Sequence, residues 1–137
     1  MSNLVKPFLF LSASVLLIVG VLLTFAPEVL YASSGQELPN AVLIRSDLRA
    51  GGMLLLLSGV FVGAAALREG ARRPALQLSA LVYIGYGLGR IASVAFDGTP
   101  DSTLLTVTGI EWALGVAAVA LLWAGAADNP PQSFRTA

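Results

Sequence analysis

Histidine and cysteine are absent from the 137 residues of this chain, and charged residues make up only 12% of it. Without a thiol there is no disulfide, no thiolate metal ligand and no cysteine nucleophile. Without an imidazole there is no histidine-held haem, no zinc site of the usual kind and no histidine base. Eight basic and eight acidic residues cancel to a formal net charge of zero. The basic footprint that nucleic-acid binding requires is therefore missing as well. Carboxylates alone can hold a hard cation, but the acids here are not clustered as such a site needs. No metal and no cofactor is expected.

What is abundant is apolar surface. Hydrophobic residues are 56% of the chain, and they gather into four long blocks. A soluble domain carries about 25% charged residues, and a chain this short cannot bury so much apolar area in its own core. Lipid can cover it. The expected fold class is all-α, a single integral membrane four-helix bundle.

The blocks place spans at about 8–25, 50–67, 75–96 and 104–127, followed by a polar tail over 128–137. Lys6 ahead of the first block resembles the start of a signal peptide. The apolar run, however, exceeds the roughly 7–15 residues of such a segment, and no clean A-x-A site follows. Pro27, Gly35 and Pro39 break the chain over 26–40, with 27–31 expected at the membrane interface and Asn40 as the N-cap of the next helix. That helix should start ahead of its lipid-buried part.

Positive charge in short loops marks the cytoplasmic side. Lys6, the 68–74 loop with Arg68, Arg72 and Arg73, and Arg135 fall on one side. Arg45 and Arg49 fall on the other, with Glu28, Glu37, Asp47, Asp97 and Asp101. Both termini are therefore predicted to be cytoplasmic.

Helical steps of three and four residues connect one polar or small stripe per helix. They run through Arg45, Arg49, Gly52, Leu56, Gly59 and Gly63; through Ser79, Tyr83, Tyr86, Arg90, Ser93 and Asp97; and through Thr108, Glu111, Gly115, Ala118, Leu122 and Gly125. In a membrane bundle such stripes face inward, and the Gly59–Gly63 and Gly85–Gly89 pairs read as close-packing positions. Gly85, Gly87 and Gly89 are not a nucleotide loop, because no strand precedes them.

Arg90 is the costly residue. A charge at such depth is unfavourable by roughly 2.5–3.5 kcal/mol on insertion scales, so it normally faces the interior and pairs. It lies roughly 9 Å from one end of its span, and Glu111 lies roughly 10 Å from the same side of the next, at 1.5 Å per residue. The two helices are joined by a short turn, so an Arg90–Glu111 ion pair is expected. As a binding site, the surplus charge of Arg45, Arg49 and Arg90 would line an outward pocket with Tyr83, Tyr86 and Ser93. Asp47 and Asp97 would cancel part of that charge. Arginine binds carboxylate or phosphate head groups bidentately. A purely structural pair, and an ion or proton path, are the alternatives.

These residues carry a resemblance. Arg45-Ser-Asp-Leu-Arg-Ala-Gly-Gly-Met53, Gly85-Tyr-Gly-Leu-Gly-Arg-Ile-Ala-Ser93 and Asp97-Gly-Thr-Pro100 are similar to a bacterial family of uncharacterised four-span membrane proteins. The matching positions are Asp47, Arg49, Gly51, Gly52, Gly89, Arg90, Ser93, Asp97, Gly98, Pro100 and Glu111, with Asp47 standing where that family more often has glutamate. The resemblance implies a bacterial cytoplasmic (inner) membrane location and the polar cluster, but no reaction.

The first functional expectation is a non-enzymatic accessory or stabilising subunit of a membrane complex. The alternative is a binding module for an anionic lipid or small amphiphile. A dimeric transporter comes third, since four helices enclose little volume and the halves show no repeat. Catalysis would have to rest on Glu111, Asp97 or a tyrosine, with no nucleophile–base pair at useful spacing, so no enzyme is expected. The partners implied are membrane lipid, other membrane subunits, or a second copy docking through glycine-rich faces.

Overall fold

The computed structural model describes residues 2–128. Five α-helices run in order: α1 (Ser2–Phe25), α2 (Pro27–Ser33), α3 (Val42–Ala66), α4 (Arg72–Asp97) and α5 (Ser102–Asp128), with a 3₁₀ turn at Glu69–Ala71 before α4. Among the described residues there is no strand. Four of the helices, all but α2, are long and apolar enough to cross a membrane. Their outward faces are apolar too: Phe96 is 88% exposed and Trp123 77%. Such surface is unfavourable in water and suits a lipid environment. From residue 129 onward the expected polar tail, with Arg135, lies outside the described residues.

Local chemistry sets the helix ends. Pro27 does not simply break the chain. It sits at the first position of α2, where the missing N–H would be unpaired anyway. Gly35, at φ +67°, closes α2 by donating its N–H to the Ala32 carbonyl at 3.0 Å, a left-handed position that favours glycine. The cap of α3 is Ala41, in extended backbone and without a side-chain hydrogen bond, rather than Asn40. The Arg45 N–H bonds the Ala41 carbonyl at 3.1 Å, and that register leaves Asn40 one residue outside. Arg72 reaches back to the Ala66 carbonyl at 3.3 Å, occupying an orphan acceptor at the end of α3. Asp101 accepts from the N–H groups of Thr103 and Leu104 at 2.8 and 3.1 Å, which caps α5.

The helices form two antiparallel pairs. α1 lies against α3, with backbones close enough that a Cβ on Gly20 would come within 2.6 Å of the Leu56 nitrogen, and one on Gly52 within 2.7 Å of the Thr24 nitrogen. Gly59 meets Leu16 and Leu17 in the same way. The stripe read through Arg49, Gly52, Leu56 and Gly59 therefore faces α1. In the second pair, Gly87 accommodates Trp112 and Gly115 accommodates Ile84. Gly85 and Gly89, expected as packing positions, instead lie where an added Cβ meets nothing within 4 Å. The expected Gly85–Gly89 pair therefore does not pack against α5; the face of α4 that meets α5 carries Gly87 instead.

A small polar knot joins the pairs. Ser12 and Ser79 are fully buried and share a 3.0 Å hydrogen bond, and the Tyr83 hydroxyl donates to the Ser12 carbonyl at 2.8 Å. Interhelical hydrogen bonds in membranes contribute about 0.6–2 kcal/mol each. The bundle is tight at this level and below, where Leu9, Val62, Ala66 and Ala75 are fully buried. Toward Asp97 it opens: α4 has no buried residue after Gly87, and α5 rests chiefly on α4.

Close approach of α1 and α3 should be the most sensitive feature of the fold. Gly52→Val and Gly20→Val are expected to lower the yield of monodisperse protein in detergent severely, because backbone rather than a flexible side chain blocks the new atoms. Gly85→Val, facing open space, should leave both yield and melting temperature near wild type. Equal damage at all three positions would show that the α1–α3 contact is not the limiting one.

Candidate functional site

The splayed end encloses a cavity of about 520 Å³. Val15, Leu16, Val19 and Leu23 of α1 form one wall, and Val107, Ile110 and Glu111 of α5 the other. Val82, Tyr83, Tyr86 and Arg90 of α4 form its floor, and Tyr31, Ser34, Gln36 and Asp101 gather at the mouth. A second cavity of about 440 Å³ lies between α3 and α4, lined by Asp47, Gly51, Gly89 and Ser93. Tyr86, Arg90, Leu23 and Leu48 line both, so these four side chains form the partition between them.

Arg90 and Glu111 face each other across the first cavity's wall. Arg90 Nε stands 3.9 Å from Glu111 Oε2, with side chains 34% and 13% exposed. That is ion-pair range but beyond hydrogen-bond reach. Both atoms are buried and neither has a hydrogen-bond partner. Buried polar atoms are normally satisfied, so this donor and acceptor stand out as an unbonded pair beside the cavity.

The other expected site residues separate into three places. Tyr83 and Tyr86 line the main cavity with Arg90, although the Tyr83 hydroxyl is already committed to Ser12. Asp47 and Ser93 line the second cavity, where Ser93 donates to Asp97 at 2.9 Å near the exposed end of α4. Arg45 and Arg49 line neither cavity. Arg45 binds Glu28 of α2 at 2.7 Å, and Arg49 donates to the Thr24 carbonyl near the end of α1. The expected surplus of positive charge therefore does not assemble. The main cavity holds one guanidinium, Arg90, and two carboxylates, Glu111 and Asp101.

Outside the spanning helices, two acids are tuned. The Glu28 carboxyl is held below its ordinary value, first by backbone N–H donation at the start of α2 and then by Arg45. Asp101 is lowered chiefly by the Leu104 N–H, with Thr103 and Ser34 adding to it. Both are charged at neutral pH and act as anchors of the mouth. Sequence reasoning missed Glu28, Ser12 and the covering segment around Tyr31. Ser12 did carry a signal, as a hydroxyl inside an otherwise apolar run.

With this geometry in view, a family profile described as a domain of unknown function, DUF4345, matches residues 4–123. The chain belongs to that family. No curated protein and no solved structure matches it.

Removing one partner of the Arg90–Glu111 pair strands the other. For a fully buried pair that loss is about 3–5 kcal/mol, while replacing both partners by apolar groups is often nearly neutral. Arg90 is a third exposed, so the losses here should fall below that range. Arg90→Leu and Glu111→Leu should each lower the melting temperature in detergent, and the double variant should recover most of the loss. Additive losses in the double variant would show that the two charges do not interact.

Proposed function

We propose that this DUF4345 protein is a non-enzymatic integral membrane protein that holds one amphiphilic molecule, taken from the bilayer, in the cavity between α1 and α5. The observation that carries the reading is the cavity itself. Its volume of about 520 Å³ falls within the roughly 300–1,000 Å³ of small-molecule sites. It is apolar along α1 and α5 and polar at Arg90 and Glu111, the arrangement that an apolar tail with a polar head requires. Because α5 leans on α4 and meets α1 only marginally, the side of the cavity faces lipid, where amphiphiles are concentrated.

The accessory-subunit reading keeps one supporting observation. Gly85 and Gly89 present an open strip on α4 with nothing within 4 Å, and small residues let a second helix approach closely. A partner subunit or another copy of this chain docked there would leave the cavity free. Both readings place the chain in a bacterial inner membrane with its termini on the cytoplasmic side. Arg68, Arg72 and Arg73 support that orientation. The opposing Arg45 is paired locally with Glu28, and Arg49 is bonded to a helix-end carbonyl.

Protein purified in mild detergent should carry one amphiphile in near-stoichiometric amount, detected by native mass spectrometry and lipid extraction. Val107→Trp, which fills the cavity from α5, should lose that molecule while keeping its helical circular dichroism and elution volume. Purification with bulk lipid alone, or equal retention by Val107→Trp, would defeat the reading.

Orientation is tested separately on this cysteine-free chain. Gly70→Cys lies in an exposed loop position with no neighbour within 4 Å. It should resist a membrane-impermeant maleimide in intact cells and react after lysis. Labelling of intact cells would reverse the topology.

A further inference from the structure

We propose that the amphiphile in the cavity carries a positively charged head group, of the ammonium class, seated at the cavity mouth against Asp101. This rests on the amphiphile-binding reading and adds the charge and position of the head to it.

Charge balance along the cavity sets the requirement. Its polar side runs from Asp101 at the mouth inward to Arg90 and Glu111, roughly 15 Å along α5 at 1.5 Å per residue. The inner end is already balanced. Arg90 and Glu111 form an ion pair, and the two atoms that face each other are closed to an occupant. Asp101 has no ion-pair partner among the described residues. One negative charge is therefore left over, and it stands where the cavity opens.

Asp101 is fixed in place and ionised. Thr103 and Leu104 both donate to its Oδ1. The Leu104 N–H above all holds its carboxyl below the ordinary value, so it is charged at neutral pH. A carboxylate offers about four acceptor sites, so even with the Ser34 hydroxyl as a third donor one remains. Tyr31, Ser34 and Gln36 line the mouth beside it. An ammonium donates hydrogen bonds and accepts none, and all three of these side chains carry an acceptor oxygen. A tyrosine ring also attracts a cation lying near its face.

The wider field has the same sign. In this half of the bundle Arg45, Arg49 and Arg90 are set against Glu28, Glu37, Asp47, Asp97, Asp101 and Glu111. Such a surplus concentrates cations and repels anions. An anionic head would meet Asp101 with no cation to bridge them, since Arg45 and Arg49 are engaged by Glu28 and by the Thr24 carbonyl. A neutral head would fit but gain no charge attraction. Below the mouth, Val15, Val19, Val107 and Ile110 offer apolar contact to the tail.

The test titrates dodecylammonium, dodecanol and dodecyl phosphate into the full chain in micelles of an uncharged detergent, with bound probe counted by native mass spectrometry. Each probe is compared between proteins, so differences in partition into the micelle cancel. Asp101→Asn removes the charge and keeps the cap of α5, because asparagine caps as well as aspartate. It should weaken dodecylammonium about fivefold, the scale of one partly exposed charge pair, leave dodecanol near wild type and strengthen dodecyl phosphate. Asp97→Asn is the control, a carboxylate of the same end that lines neither cavity, and it should leave all three probes near wild type.

Unchanged dodecylammonium binding in Asp101→Asn, or an equal loss in Asp97→Asn, would overturn the seat at Asp101 while leaving amphiphile binding standing. Where Asp101→Asn folds poorly, wild-type protein decides. Added salt should weaken dodecylammonium and not dodecanol, and a salt-independent affinity for both would overturn the charged head. If no probe binds, or if Val107→Trp binds all three as wild type does, the cavity reading itself fails and this inference with it.

Discussion

The backbones of α1 and α3 meet at Gly20 and Gly52 with no room for a methyl group between them, and the rest of the structure is mounted on that contact. In a bilayer the hydrophobic effect does not draw helices together, because lipid tails are as apolar as leucine. Close van der Waals approach and a few hydrogen bonds have to do it instead. Glycine supplies the first here, and the Ser12–Ser79–Tyr83 knot supplies the second by fastening α4 to the completed pair. α5 is held mainly by α4, through Trp112 against Gly87 and Ile84 against Gly115. The order of dependence is therefore α1 with α3, then α4, then α5.

That order explains where the cavity lies. The hydrogen bonds that fix α4 to α1 fall at Ser79 and Tyr83, and above this level α4 and α5 lean away from α1. The space that opens is covered at its mouth by α2 and the turn after it, which Arg45 ties down through Glu28. Arg90 lies in this opened part, with a third of its side chain still accessible. A guanidinium there keeps some contact with its surroundings, which lowers the penalty it would incur in a sealed bundle.

Much of this was legible in the sequence, and the failures have physical causes. The four spans showed because an unbroken run of about 18 or more apolar residues matches the thickness of the hydrocarbon layer. The helices extend beyond those runs, since backbone hydrogen bonding continues past the edge of the hydrocarbon: α3 begins at Val42, ahead of the apolar run from residue 50, as its expected start near Asn40 implied. The Arg90–Glu111 juxtaposition was predictable because a short turn forces antiparallel neighbours, and equal depth then brings side chains together. Arg45 and Arg49 were misplaced for a related reason. Their partners, Glu28 and the Thr24 carbonyl, belong to a helix end and to a short helix hidden behind Pro27, which reads as a breaker when it is in fact a starter. Periodicity also located glycines without telling which face meets a neighbour, so Gly85 and Gly89 looked like packing positions and Gly87 did not.

An ion pair such as Arg90–Glu111 is by itself weak evidence for stability. A buried ion pair replaced by well-fitting apolar residues is often as stable or more so. At 3.9 Å, without a hydrogen bond between the facing Nε and Oε2 atoms, this pair forgoes part of the attraction that would offset its desolvation. The two facing atoms stay 3.9 Å apart, beside a cavity lined mainly by valine, leucine and isoleucine on α1 and α5 and by Tyr31, Ser34, Gln36 and Asp101 at its mouth. Packing of Trp112 against Gly87 and of Ile84 against Gly115, more than this pair, is what holds α4 to α5.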